Sequence, residues 1–313
     1  MTIDRGLKYA LVLAGGGARG LVHIGVLSAL EAAGYPPPSL IVGCSMGAII
    51  GGLYAAGEDI KKLKDFVLER LDISDFMEGP GFKMSGPIGK LFVTGQFIGN
   101  FAAKPGVDPG DKALGLIESF VGDKRIEDCS IPFVCNAVDL VSGREILLRS
   151  GSLAKAMRTS MSFPAFFEPV VDGGMCLVDG GVTDNLPVWA AREEGKALGV
   201  SRILAVDTRG KWREMPASGY KTGISVVMRC FEVLIYTAES HRPPADMVIQ
   251  AADFSSMFDF DRKKQLVALG EAAVRESGKE LDAFFGSGIA AGLLRKKYKS
   301  CGIRQEGKYA ETG

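Results

Sequence analysis

The sequence predicts an α/β fold with a largely parallel central sheet flanked by helices. Two observations carry this expectation. Short apolar runs alternate with helical stretches through the first two thirds of the chain. Glycine-rich junctions also stand where strands should pass into helices, at residues 15–20 and 43–47.

Residues 9–14 form an apolar run that stops at Gly15, which suits a buried strand. Residues 21–33 carry Leu21, Ile24, Leu27 and Leu30 at helical spacing and end at Gly34, a C-terminal stop. A short strand at 40–42 leads to a helix at 46–56 that is apolar nearly all round, hence buried. Ile60, Leu63, Val67 and Leu71 then draw one face of an amphipathic helix, with Lys61, Lys62, Lys64 and Glu69 outside. Regularity fails across 79–110, where Gly, Pro, Phe and Met dominate. That stretch reads as a lid or as an ordered insertion. Strand signals return at 133–138, 145–148, 175–178 and 203–206, with helices at 153–159 and 186–198. The run from Leu293 to Lys299 is basic and partly apolar. It suits peripheral contact with an anionic membrane, or a solvated helix end before a frayed tail. One domain over 1–313 is expected, with its core at 7–210, the insertion at 79–110 and a helical, basic part at 211–313.

Composition narrows the function classes. Lys plus Arg and Asp plus Glu number 37 each, which argues against a nucleic-acid footprint. The six cysteines form no CxxC pair, so neither zinc nor another metal has sequence support. They read as small buried residues of a reducing compartment, which points to the cytoplasm. Residues 32–57 carry no charge, yet Pro36-Pro37-Pro38 and several glycines break the stretch. Neither a transmembrane helix nor a signal peptide is predicted.

Gly43-Cys44-Ser45-Met46-Gly47 is G-x-S-x-G, between an apolar strand and an apolar helix. That context suits a nucleophile on a sharp turn, where side chains at Gly43 and Gly47 would clash with their neighbours. A serine that merely caps the following helix is the other reading. Gly15-Gly16-Gly17-Ala18-Arg19-Gly20 satisfies G-x-G-x-x-G, but the next strand ends at Val42-Gly43-Cys44, without the carboxylate that holds a ribose. The glycine amides could instead stabilise an oxyanion, where one donor is worth about 3 kcal/mol. A base is then needed. The two histidines are His23, inside the first helix, and His241, in a turn. Asp139, Asp172, Asp179 and Asp207 stand at strand ends. Asp179 leaves a strand into Gly180-Gly181, whereas Asp172-Gly173-Gly174 reads as an ordinary turn.

Together these motifs resemble the patatin-like phospholipase family, which shows G-G-G-x-R-G, then G-x-S-x-G, then D-G-G or D-G-A. They occur here in that order at 15–20, 43–47 and 179–181. Asp139-Leu140-Val141-Ser142-Gly143, the block from Ala156 to Pro164, and Gly181-Val182-Thr183-Asp184-Asn185-Leu186-Pro187 resemble further family stretches. The likeness covers roughly 7–210. It implies a three-layer α/β/α fold and a lipid acyl hydrolase of phospholipase A, lysophospholipase or carboxylesterase type. Ser45 would be the nucleophile and Asp179 its dyad partner. Gly15, Gly16 and Gly17, with Arg19, would form the oxyanion hole, and Gly20, Gly43, Gly47, Gly180 and Gly181 would complete the motifs. Cys44 departs from the family's frequent threonine and reads as packed. No cofactor, metal or calcium requirement is expected; the partner is a phospholipid or other fatty-acyl ester. Two rivals stand beside this: a Ser-Asp-His esterase using His241, and a non-catalytic module binding lipid or nucleotide. Oligomeric state is not legible.

Overall fold

The computed structural model describes residues 2–72, 76–77, 105–209, 214–221, 223–240, 244–252 and 259–302. In chain order the elements are β1 (Tyr9–Leu13), α1 (Val22–Ala32), β2 (Leu40–Gly43), α2 (Met46–Ala55), α3 (Ile60–Glu69) and β3 (Gly106–Asp108). Then come α4 (Asp111–Val121), β4 (Phe133–Asp139), β5 (Arg144–Leu148), α5 (Leu153–Ser160), β6 (Ala165–Phe167), β7 (Val170–Asp172) and β8 (Met175–Asp179). The chain continues through α6 (Val188–Leu198), β9 (Arg202–Asp207), α7 (Gly223–Ser240), β10 (Met247–Gln250), α8 (Lys263–Glu276), α9 (Gly278–Phe285) and α10 (Gly288–Gly302).

The main sheet runs β10-β9-β1-β2-β4-β8-β7, with β5 also paired to β4. From β10 to β4 every pairing is parallel, as the alternating pattern predicts. Beyond β4 the sheet turns antiparallel, so it is mixed rather than parallel throughout. The cause is local: short hairpins need no crossover helix. Asp172-Gly173-Gly174-Met175 is such a turn, with both glycines at positive φ, and Asp172 pairs with Met175 across it.

Side chains alternate between two apolar layers. One face of the sheet, with Leu11, Leu13, Ile41, Phe133 and Leu204, meets α1, α2, α3 and α8. The other, with Ala10, Val12, Leu40, Val42 and Ala205, is covered by Val188, Ala190 and Ala191 of α6. This is a three-layer arrangement, and α2 is buried along most of its length, as its all-round apolar sequence requires. The C-terminal region is integral to it. A Cβ on Gly25 of α1 would strike the Val267 carbonyl, and one on Gly270 of α8 the Val22 carbonyl, so the two helices meet backbone to backbone. Tyr9 of β1 packs edge-on to Phe284 and Phe285 of α9.

Most of the predicted insertion at 79–110 lies outside the described residues, which resume with β3 and the start of α4. Among the described residues no helix is long and apolar enough to cross a membrane. The basic run from Leu293 lies on α10, where Ile289 and Leu293 are exposed.

Candidate active site

Strand register brings the motifs together. Leu13 pairs with Gly43 on one side and Val206 on the other, so β1, β2 and β9 end level at their carboxyl edge. Gly43 also pairs with Cys135, and Asp179 with Ala137, two residues farther along β4. Asp179 therefore stands level with Ser45, two residues beyond Gly43. Because β8 is antiparallel, it delivers Asp179 from outside the sheet edge.

Ser45 sits at φ 52°, ψ −121°, a conformation that non-glycine residues rarely adopt. Its turn is tight because Gly47 lies on the end of β1: a Cβ there would collide with the Leu13 carbonyl and stand 2.6 Å from that of Ala14. A Cβ on Gly43 would stand 2.5 Å from Ala48 Cα. The Ser45 amide donates to Ser160 Oγ at 3.0 Å. Although Ser45 precedes α2, its side chain does not cap the helix. The capping alternative is thereby set aside; the side chain instead lies near enough to the Asp179 carboxyl to pull its pKa down.

Asp179 is 1% exposed. Burial raises its carboxyl from 3.8 to about 6, against the pull of hydrogen bonds from the Ser45 hydroxyl, the Gly181 amide and the Cys44 thiol. The Gly181 amide donates to Oδ1 at 2.7 Å and Cys44 Sγ lies 3.6 Å from the same oxygen. The Cys44 thiol is pushed well up, by burial and by Asp179, so it stays protonated and donates. Gly180 packs against Asn136, and Gly20 against Met46.

The glycine loop is held by its carbonyls. Gly15 O accepts from Thr208 Oγ1 at 2.6 Å and Asn185 Nδ2 at 3.4 Å. Gly16 O accepts from the Arg19 amide at 3.2 Å and Arg19 Nε at 3.3 Å. In a trans peptide the following N–H points the opposite way. Pinning these two carbonyls thus aims the amides of Gly16 and Gly17 away from their anchors. The Gly15 amide differs from expectation: it already donates to the Asn185 carbonyl at 3.1 Å. Gly15 lies beside Ser45: a Cβ on it would stand 3.1 Å from Ser45 Cβ. Its role is to hold the loop rather than to donate, and Arg19 fixes the Gly16–Gly17 peptide.

His23 is fully buried, with Nε2 2.8 Å from the Ala14 carbonyl, and burial lowers its imidazole to about 4. It is a neutral clamp behind the glycine loop. His241 lies outside the described residues. Among the described residues no group of three His, Cys, Asp or Glu side chains could hold a metal ion.

An apolar cavity of about 100 Å³ reaches Met46, the residue after Ser45, and is lined by α1, α2, α3, α4, Met161, Phe76 and Phe260. Every described residue that lines it is apolar.

A patatin-like phospholipase family model matches residues 11–192, more than half of the chain. The chain belongs to the patatin-like phospholipase family. Its family motifs thus coincide with the geometry above, and the family is one of lipid ester hydrolases. Lysophospholipase nte1 of Emericella nidulans is 32% identical over 263 residues, which is 83% of this chain and 16% of that protein. Lysophospholipase NTE1 of Yarrowia lipolytica is 35% identical over 202 residues, 64% of this chain and 13% of that protein. This patatin-like chain therefore spans less than a fifth of these curated relatives' length. The crystal structure of VipD from Legionella pneumophila aligns with 86% of this chain and 66% of that one, at 14% identity and a TM-score of 0.49.

Four residues with no role assigned from sequence shape the patatin-like site. Ser160 holds the Ser45 amide, and Asn185 and Thr208 hold Gly15. Arg158, 5% exposed, donates to Ser162 Oγ at 2.6 Å and to the carbonyls of Pro109, Gly110 and Glu168. The Ser162 carbonyl in turn accepts from the Asp179 amide at 2.9 Å. Three of the four lie in the stretches quoted for the family likeness; Thr208 follows β9 with no local signal.

Proposed function

We propose that the chain is a lipid acyl hydrolase of phospholipase A or lysophospholipase type, acting through a Ser45–Asp179 dyad. The observation that carries this reading is the strained Ser45 standing level with Asp179, a buried carboxyl that burial raises to about 6 while the Ser45 hydroxyl pulls it down. An ordinary aspartate, near 3.9, is a weak base, and the raised value brings Asp179 closer to working pH.

Ser45 Oγ attacks the ester carbonyl carbon while its proton passes to Asp179. Charge develops on the carbonyl oxygen, which the amides of Gly16 and Gly17 receive as preorganised donors. The tetrahedral intermediate collapses by breaking the bond to the leaving alcohol, and Asp179 returns the proton to that oxygen. Water then attacks the acyl-serine and gives a proton to Asp179, and that proton restores Ser45 as the fatty acid leaves. No cofactor enters these steps. The relatives' names and the family point to a phospholipid or lysophospholipid substrate. The reading takes 1–313 as one domain, working in the cytoplasm in peripheral contact with anionic lipid through Leu293–Lys299.

Fluorophosphonate labelling is the direct test. Ser45 should be the labelled residue, and Ser45→Ala should lose label and ester turnover by about 10³-fold or more. Fatty-acyl hydrolysis that persists in Ser45→Ala overturns the reading. A loss in His241→Ala equal to that in Asp179→Ala would favour a triad instead.

A further inference from the structure

We infer that the apolar slot between α2 and α4 takes the substrate's acyl chain, and that the Phe66–Phe120 ring pair at its far end sets the longest chain accepted. The inference rests on Ser45 being the acylated residue.

The two helices define the slot's direction. Both begin at the active-site edge: Met46 follows Ser45, and Gly110, just before α4, gives its carbonyl to Arg158 Nε at 3.2 Å. Both end at the opposite side, where Lys124 Nζ, beyond α4, donates to the carbonyl of Ala56 at the end of α2, at 2.6 Å. Met46 and Leu53 are seven residues apart on α2, and Ala113 and Phe120 seven apart on α4. All four line the cavity. At 1.5 Å per residue each wall runs about 10 Å from the nucleophile side to the far side.

The near end is lined by Met46 and by Met161, which follows the Ser160 that holds the Ser45 amide. At the far end Phe66 of α3 meets Phe120 edge to face, ring centres 5.0 Å apart at 82°. Both rings are half-buried and both line the slot. With only apolar side chains among the described residues that line it, the slot rewards each methylene it takes from water, and those side chains offer no partner to a head group. A polar terminus is excluded from it, and a chain that reaches the ring pair must displace it or stop.

Turnover of p-nitrophenyl esters from butyrate to palmitate reads the slot's length. Phe120→Ala should raise kcat/KM for long esters relative to butyrate by about tenfold, because discrimination in an apolar pocket grows with each methylene. Leu53→Phe, which narrows the slot's far end beside the ring pair, should shift the profile toward short esters by a similar factor, about tenfold. Butyrate turnover serves as the folding control, since that chain is too short to reach either position. If profiles of well-turning variants superimpose on the wild type, the ruler is overturned. Ser45 dependence of butyrate turnover separates the two readings. Loss in Ser45→Ala with superimposed profiles defeats the ruler alone, whereas turnover that survives Ser45→Ala defeats the dyad itself.

Discussion

Asp179 is costly to the fold because a charge there is shielded from water. A carboxyl raised from 3.8 to about 6 binds its proton more tightly when folded than when unfolded. Its ionised form therefore destabilises the protein above pH 6, by on the order of 3 kcal/mol, and the cost fades as pH falls toward 3.8. Asp179→Asn keeps an acceptor for the Gly181 amide without the charge. It should raise the melting temperature at pH 7.5 while abolishing turnover, a stability–activity trade-off checked by calorimetry on both proteins. His23 has the opposite sign. Its imidazole, lowered to about 4, stays neutral when folded, so stability is lost as pH falls from 6.5 toward 4. In the wild type the two slopes oppose each other between pH 6 and 4. Asp179→Asn should expose the His23 slope and lose more stability over that interval than the wild type does. Wild-type kcat/KM should decline below about pH 6 as Asp179 takes up a proton.

The glycine loop acts as one element because its carbonyls are tied on both sides. Thr208, at the end of β9, holds Gly15 from one neighbouring strand, and Asn185 holds it from the turn after Asp179. Thr208→Val keeps the shape and removes the donor. With Gly15 O left to the longer bond from Asn185, the Gly16 amide is less firmly aimed. The expected result is a fall in kcat of about tenfold with little change in KM, since the oxyanion exists only in the transition state. Equal loss in both parameters, or an unchanged kcat, would show that the loop keeps its place without Thr208.

At the scale of the molecule, α8 closes the layer that carries the glycine loop, although its Gly270 lies 250 residues beyond Gly20 in the chain. Its Gly270 meets the Val22 carbonyl of α1, the helix that leaves the loop. Gly270→Ala must push the backbones of α1 and α8 apart, which should cost about 1–3 kcal/mol by overpacking. Urea unfolding would measure this, and a variant as stable as the wild type would show that the helices yield easily.

Much of this was written in the sequence. The strands β1, β2, β4, β5, β8 and β9, the helices α1, α2, α3, α5 and α6, the elbow at Ser45 and the turn at Asp172 follow from local pattern, and the proposal of Asp179 as Ser45's partner from motif order, because periodicity and glycine placement are local properties. The antiparallel half of the sheet, the helix α4 and the C-terminal packing on α1 were not legible. They depend on which surfaces meet across long stretches of chain, as at Gly25 and Gly270, and no local pattern records that. The same holds within the site. Sequence singled out Gly15 as an oxyanion donor, but only tertiary structure shows that the Asn185 carbonyl already occupies its amide. Sequence supplied Asp179 with a chemistry; burial at the register position level with Ser45 decided that this carboxylate binds its proton near pH 6.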